Sequence, residues 1–176
     1  MDAVFLSQRT CRRARRTGCA VRGFTLVELI IVLVLLGVLA VVAAPRIFNT
    51  GDFNSRGFHD ETLGLLRYAQ KTAIAQRRTV CVSFPGGNSA LLRIASASAV
   101  TSCDVDLIGP KGQTPGKITA KSGVAYSTAP LTVHFDGLGQ PLNASSGLAL
   151  SAARTIQVTG AANAITIEPG TGYVHE

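Results

Sequence analysis

In this 176-residue sequence, the residues that could most clearly take part in a reaction or a charge pair lie where a basic segment meets an apolar one. Gly23 and Phe24 form that junction, and Glu28 precedes a run, residues 29–44, without charged, hydroxyl or amide side chains. An ionised carboxylate in such surroundings costs several kcal/mol unless it lies near an interface or finds a partner. The N-terminal dipole of a helix starting at Phe24 would favour the charge. Glu28 is therefore either an interfacial residue without a role or one half of a charge pair.

The remaining residues offer little catalytic or metal-binding chemistry. His59, His134 and His175 are widely spaced and lack the spacing of metal ligands. His134 falls in a predicted strand, where a packed or edge histidine is the expected role. The sequence contains no glycine-rich phosphate loop, nucleophile elbow or paired-carboxylate motif. It therefore predicts a protein that is not an enzyme, with no cofactor and no metal site.

The cysteines fall into two pairs on either side of the apolar run. Cys11 and Cys19 precede it, and Cys81 and Cys103 follow it. If the apolar run directs export, the second pair reaches an oxidising compartment and could form a disulfide. The bridge would close a loop of about twenty residues and contribute about 3 kcal/mol. The alternative is two separate buried thiols.

The net charge of +7 is unevenly distributed along the chain. Residues 1–23 hold six arginines against one aspartate, whereas residues 24–176 hold eleven basic against nine acidic residues. Over a whole chain, such a charge would suggest a nucleic-acid-binding protein. Here most of it lies directly before the apolar run, where it acts as a topology signal that keeps the N-terminus on the cytoplasmic side.

Hydrophobic periodicity indicates which elements surround this junction. Residues 24–44, as an α-helix, would rise about 31 Å, close to the thickness of bilayer hydrocarbon. Pro45 follows and can kink or break that helix. An apolar stripe at helical spacing predicts a second, amphipathic helix from about residue 55 to 78. Alternation with period two then predicts short strands at residues 79–84, 90–95, 131–136, 155–159 and 164–168, with a further candidate at 124–127.

This order of elements predicts an α+β fold, in which a long N-terminal α-helix packs on a small antiparallel β-sheet. The domain boundaries follow from it: a basic leader at residues 1–23, an apolar helix and hinge at residues 24–54, and a globular domain at residues 55–176.

Three kinds of export segment share a basic region followed by apolar residues, so the junction must distinguish them. An ordinary signal peptidase cuts after small residues at the far end of the apolar stretch, and the only candidate is residues 42–44. Pro45 directly after them makes that cut unfavourable. A plain membrane anchor explains the apolar run but not Glu28.

The stretch Arg-Gly-Phe-Thr-Leu-Val-Glu-Leu-Ile at residues 22–30 closely resembles the processing site of type IV prepilins and of type II secretion pseudopilins. The resemblance implies a pilin-like fold and a prepilin peptidase that cuts between Gly23 and Phe24 and N-methylates Phe24. It implies that Glu28 pairs with the N-terminal amine of a neighbouring pilin subunit during assembly. It also implies a helix kink at Pro45.

The same resemblance extends to location and subtype. It implies a single-pass protein of the bacterial inner membrane with a periplasmic C-terminal domain, which then enters a pilus or pseudopilus. Residues 135–141 and 165–174 look like elements of GspH/FimT-type minor pilins and of minor pilins of mannose-sensitive haemagglutinin pili. Both segments are predicted to be strand-to-turn units. A minor subunit at or near the fibre tip is the expected role.

An alternative role is DNA binding, because some similar minor pilins bind DNA in natural transformation. Two groups of cations could contribute: one on a predicted helical face (Arg67, Lys71, Arg78) and one in a predicted loop (Lys111, Lys117, Lys121). The net charge after residue 23 is small, so a solvated face is the favoured interpretation. Lys117 and Lys121 remain the candidate DNA contacts.

Overall fold

The computed structural model describes residues 24–47, 50–98 and 100–176, with side chains for all of these except residues 42–47 and 50. The basic leader, including Gly23, lies outside the described residues. The chain divides into two compact units, one ending at Pro45 and one from Arg46 to Glu176.

Helix α1, Leu26–Ile47, lies in the first unit except for its last two residues. Large apolar side chains along α1, from Leu26 to Val41, are exposed to solvent in the single chain. Within the described part of the chain, no helix combines the length and apolar character needed to cross a membrane. The single span proposed for residues 24–44 therefore stays a prediction. The kink predicted at Pro45 also stays a prediction, because α1 continues to Ile47 and residues 48 and 49 lie outside the described ones.

The second unit begins with helix α2, Thr50–Gln76. The predicted bounds, about 55 to 78, were wrong by a turn at the start and by two residues at the end. Arg77 ends the helix because its backbone is left-handed, with a φ of 50°. The amide of Arg78 then donates to Ala73 O and that of Arg77 to Ile74 O, which is the hydrogen-bond pattern of a Schellman cap.

Two antiparallel sheets follow α2 instead of the single sheet that was predicted. The first has the strand order β3-β2-β1-β5-β6, with β4 also paired to β2. The second has the order β7-β8-β9. The strands are β1 Val80–Ser83, β2 Ser89–Ile94, β3 Val105–Asp106, β4 Gly116–Thr119, β5 Val133–Phe135, β6 Pro141–Asn143, β7 Arg154–Ile156, β8 Ile165–Ile167 and β9 Val174–His175.

The α+β class is confirmed, and each of the five predicted strands overlaps an observed one, namely β1, β2, β5, β7 or β8. The candidate strand at residues 124–127 is only an isolated bridge between Tyr126 and Val158. Four short strands, β3, β4, β6 and β9, were not predicted.

The core of the second unit lies between α2 and the two sheets. Leu65, Leu66, Ala69 and Ala73 form the buried stripe of α2. They belong to one cluster with side chains from both sheets, which include Val80, Val82, Leu92, Val133, Phe135, Ile156, Ile165, Ile167 and Val174. Burial of this apolar area is the main stabilising contribution.

A disulfide joins Cys81 of β1 to Cys103, in the segment before β3, with the two Cα atoms 6.0 Å apart. It ties the long connection between β2 and β3 to the middle of the first sheet. The Cys103 segment is thereby held against a strand whose side chains are mostly buried.

Candidate functional site

The candidate site lies at the start of α1, where the sequence predicted processing and assembly. Phe24 and Thr25 precede the first turn of α1 and are not helical. The Phe24 side chain is 81 % exposed. The predicted cleavage partner, Gly23, lies outside the described residues, so the structure shows only the Phe24 side of the bond.

Thr25 caps the helix that carries Glu28. Thr25 Oγ1 accepts a hydrogen bond of 3.2 Å from the Glu28 amide, and Thr25 O accepts one of 3.2 Å from the Leu29 amide. The spacing Thr-x-x-Glu is that of a capping box, in which the N-cap hydroxyl satisfies an orphan amide at the third helical position. The sequence contains this signal, yet reasoning from the sequence missed it. It fixes where α1 begins and places Glu28 in the first turn.

The electrostatics of this first turn favour a carboxylate and disfavour a cation. The helix dipole presents partial positive charge at its N-terminus, where Glu28 lies. Within the described residues, no cationic side chain lies within ion-pair distance of Glu28. A cut before Phe24 would add an ammonium group beside this positive end, so an anionic partner would stabilise the new terminus.

The segment at residues 135–141 forms the predicted strand-to-turn unit between β5 and β6. One carboxylate oxygen of Asp136 accepts hydrogen bonds from the amides of Leu138 (2.9 Å) and Gln140 (2.8 Å). Gly139 has a φ of 84°, which other residues rarely adopt. Gly137 packs so closely that an added Cβ would lie 3.0 Å from the Arg77 carbonyl carbon. The turn is thus fitted to the end of α2.

The segment at residues 165–174 forms the β8–β9 hairpin, and one side chain joins it to the turn at residues 135–141. Gln70 Nε2 of α2 donates to Gly139 O (3.1 Å) and to Thr171 O (2.9 Å). Two segments that are far apart in sequence therefore meet on one helix. Sequence reasoning missed Gln70, because a single glutamine carries no signal of two distant partners.

Comparison with known proteins finds a match that includes the start of α1. Residues 19–44 match the family described as the prokaryotic N-terminal methylation motif. A fimbrial protein of Neisseria meningitidis serogroup B is 33 % identical over 103 residues, which cover 58 % of this chain and 52 % of that protein. The type IV narrow pilus major component PilA5 of Thermus thermophilus is 36 % identical over 59 residues, covering 34 % and 51 % respectively.

By these matches, the chain is similar to fimbrial and type IV pilus proteins.

The similarity covers only part of the matched proteins. The chain spans about half the length of the relatives that it matches. Among solved structures, the type IV minor pilin FimU of Pseudomonas aeruginosa gives a TM-score of 0.44 at 13 % identity, covering 68 % of this chain and 90 % of that one.

The cations considered for DNA binding lie on different elements of the second unit. Arg67 Nε donates to Val174 O (2.9 Å) and Arg78 Nε to Ala95 O (2.6 Å), so both support the backbone. Because α2 ends at Gln76, the predicted helical face shared by Arg67, Lys71 and Arg78 was wrong. Lys117, on β4, and Lys121 are exposed.

The loop cation Lys111 lies 2.6 Å from a carboxylate oxygen of Glu61 and is neutralised by it. The contact therefore joins the loop before β4 to α2.

The three histidines lie in different environments. His59 is buried in α2, and His134 lies on β5, where burial lowers the pKa of its imidazole. His175 Nε2 lies 2.9 Å from Glu168 Oε1, and this hydrogen bond raises the pKa of His175. His134 is half-buried on an inner strand of the first sheet, so of the two roles expected from the sequence, packed or edge, it has the packed one.

Proposed function

We propose that this chain is a minor pilin or pseudopilin subunit. A prepilin peptidase cuts it between Gly23 and Phe24 and N-methylates Phe24, and the helix that begins at Leu26 assembles with other pilin subunits. The methylation motif at residues 19–44 carries the proposal. The capped first turn supports it, because Thr25 holds Glu28 one turn from the amine that cleavage would create.

Before assembly, the N-terminal segment holds the subunit in the inner membrane with its globular domain in the periplasm. This part of the proposal rests on the sequence, in which residues 29–44 are apolar and follow an arginine-rich leader. Withdrawal from the membrane exposes the apolar side chains of α1, and contact with neighbouring α1 helices covers them again.

A minor subunit, at or near the tip of the fibre, is the finer form of the proposal. The turns at residues 135–141 and 165–174 support it, because they resemble elements of GspH/FimT-type minor pilins. Gln70 of α2 donates a hydrogen bond to each of the two segments, so both are attached to the same helix in this chain.

The test is co-expression of the full chain with a prepilin peptidase, followed by mass spectrometry of its N-terminus. The expected product begins with N-methylated Phe24. Gly23→Val should leave the precursor uncut, because a branched side chain then occupies the cleavage position. Gly18→Val is the matched control, since it makes the same change five residues upstream in the leader and should leave processing intact.

Two outcomes would refute the proposal. One is a precursor that stays uncut beside a peptidase that processes a known prepilin. The other is a product beginning at Pro45, which an ordinary signal peptidase acting after residues 42–44 would produce.

A further inference from the structure

A histidine and two carboxylates converge where the C-terminal hairpin meets α2. His59 and Asp60 are consecutive residues of α2, and Glu176 directly follows β9. One ring nitrogen of His59 and one carboxylate oxygen from each acidic residue all lie within 4.8 Å of one another. The same three side chains line one surface cavity, together with Arg56 and Asn163.

The imidazole of His59 is incompletely bonded within the protein. The residue is only 5 % exposed, and Nδ1 lies 3.2 Å from Asp60 Oδ1. Its Nε2 is buried and has no hydrogen-bond partner within the described ranges of the chain. Of the two ring nitrogens, Nδ1 is the one that faces a carboxylate, so Nδ1 is the donor available to a cation, and the ring proton would then lie on Nε2. The carboxylates are accessible by contrast, since the Asp60 side chain is 73 % exposed and Glu176 is also exposed.

The geometry points to a divalent-cation site formed by His59, Asp60 and Glu176, with zinc as the best match. One imidazole and two carboxylates form a donor set that suits Zn²⁺, with water in the fourth position. Two ligands of a tetrahedral zinc ion, each about 2.0 Å from it, lie about 3.3 Å apart. The His59–Asp60 separation of 3.2 Å already fits this edge. Glu176 must move inward, which an exposed side chain can do.

Two neighbouring residues act on this site in opposite directions. Asn163 Nδ2 donates to Glu176 Oε2 at 3.2 Å, and such outer hydrogen bonds orient metal ligands. Arg56 lines the same cavity, and its positive charge opposes cation binding. The histidine ligand therefore matters for selectivity, because imidazole favours zinc over the hard cations Ca²⁺ and Mg²⁺.

The bound ion would attach the end of β9 to α2. The hairpin is already held there by Arg67 Nε, which donates to Val174 O, and by Gln70. A cation shared by His59, Asp60 and Glu176 adds a third attachment at the last strand. Because it binds the folded arrangement, Zn²⁺ should raise the melting temperature. This inference does not depend on the proposed pilin function.

The test is titration of the detergent-solubilised full chain with Zn²⁺, by calorimetry and by thermal unfolding. We expect saturable binding of one equivalent, with a rise in Tm and no comparable response to Mg²⁺. Asp60→Asn and Glu176→Gln should each weaken binding by at least about tenfold. Both residues are exposed, so these variants should fold. Asp52→Asn, which removes an exposed carboxylate from the same helix, should leave the affinity within about twofold of the parent.

The competing outcomes are distinct. Binding that does not saturate, or equal affinity in the Asp52, Asp60 and Glu176 variants, would overturn the site. His59→Gln tests the histidine, provided that circular dichroism shows the variant to be folded. If both carboxylate variants bind Zn²⁺ more weakly but His59→Gln binds it as tightly as the parent, His59 is not a ligand.

Discussion

At the scale of single residues, Tyr126 shows how the core accommodates a polar group. Its ring lies between Phe58 and Phe84, with centroid distances of 5.0 and 5.3 Å. Its hydroxyl lies 3.0 Å from Thr62 Oγ1. Burial raises the pKa of Tyr126 to about 12, although the hydrogen bond to Thr62 partly opposes that shift. The buried phenol is therefore stable only in its neutral form.

Alkaline pH should destabilise the domain through Tyr126. An unfolded tyrosine ionises with a pKa of about 10, whereas the folded pKa is about 12. Below pH 10 the contribution of the neutral phenol is fully present. Between pH 10 and 12 only the unfolded chain releases the proton, so the free energy of unfolding should fall by about 1.4 kcal/mol per pH unit from this group. Denaturant unfolding across this range measures the slope.

Tyr126→Phe is the control, because it removes the ionisable group and keeps the ring. Its stability should be lower by about 1 kcal/mol at neutral pH, for the lost hydrogen bond. Thr62 keeps its other hydrogen bond, of 2.8 Å, to Phe58 O. The alkaline slope of the variant should be shallower than that of the parent. Identical slopes would show that Tyr126 is not the group responsible.

At the scale of elements, α2 ends in a residue whose backbone conformation lowers the stability of the domain. Arg77 occupies the left-handed position of the Schellman cap with a φ of 50°. That conformation costs a side-chain-bearing residue about 1–2 kcal/mol, and glycine adopts it freely. The cap hydrogen bonds come from the backbone and do not need the arginine side chain.

Arg77→Gly should therefore stabilise the domain. Part of the relieved strain is offset by the greater entropy of glycine in the unfolded chain, leaving a gain of about 0.5–1 kcal/mol and a Tm higher by a few degrees. Thermal unfolding followed by circular dichroism measures it. Arg78→Gly is the matched control and should destabilise, because it removes the hydrogen bond to Ala95 O. A lower Tm for Arg77→Gly than for the parent would contradict the strain argument.

Elements with a strong periodic signal were predictable, and those that depend on distant partners were not. α2 buries a regular stripe of its own residues and β1 is buried over three consecutive residues, so both carry a clear apolar signal in the sequence. β3 and β9 have two residues each, too few to show any period. β4 pairs with β2 across a long loop, and nothing local to Gly116–Thr119 specifies that partner.

At the scale of the whole molecule, distant segments are connected by a few specific links. Cys81–Cys103, Lys111–Glu61 and Gln70 each join parts of the second unit that are well separated in sequence. The cysteine pair could be suggested from the predicted export and the number of cysteines. The sequence does not identify the partners of a single glutamine or of an ion pair. The candidate site could be proposed for a different reason. Its residues lie close together in the sequence, between Gly23 and Glu28, so no tertiary information was needed to group them.

Assembly of whole subunits gives the last prediction, which concerns Glu28→Gln. Glutamine keeps the shape of glutamate and remains suited to the third position of a Thr25-capped helix, so α1 should begin unchanged. Cleavage at the Gly23–Phe24 bond should also be unaffected. In the proposed assembly, the variant loses the charge opposite a neighbour's N-terminal amine. An unpaired buried charge costs about 3–5 kcal/mol, so incorporation into fibres should fall by more than about tenfold.

Quantitative mass spectrometry of sheared fibres against the membrane fraction measures that incorporation for Glu28→Gln. Thr25→Ala separates the two roles of the first turn, because it removes the cap and keeps the carboxylate. Its cost of about 1 kcal/mol to the helix start should reduce incorporation much less than Glu28→Gln does. Equal losses in the two variants would mean that the order of the helix start, and not the charge of Glu28, governs assembly. Undiminished incorporation of Glu28→Gln would remove the charge pair from the mechanism altogether.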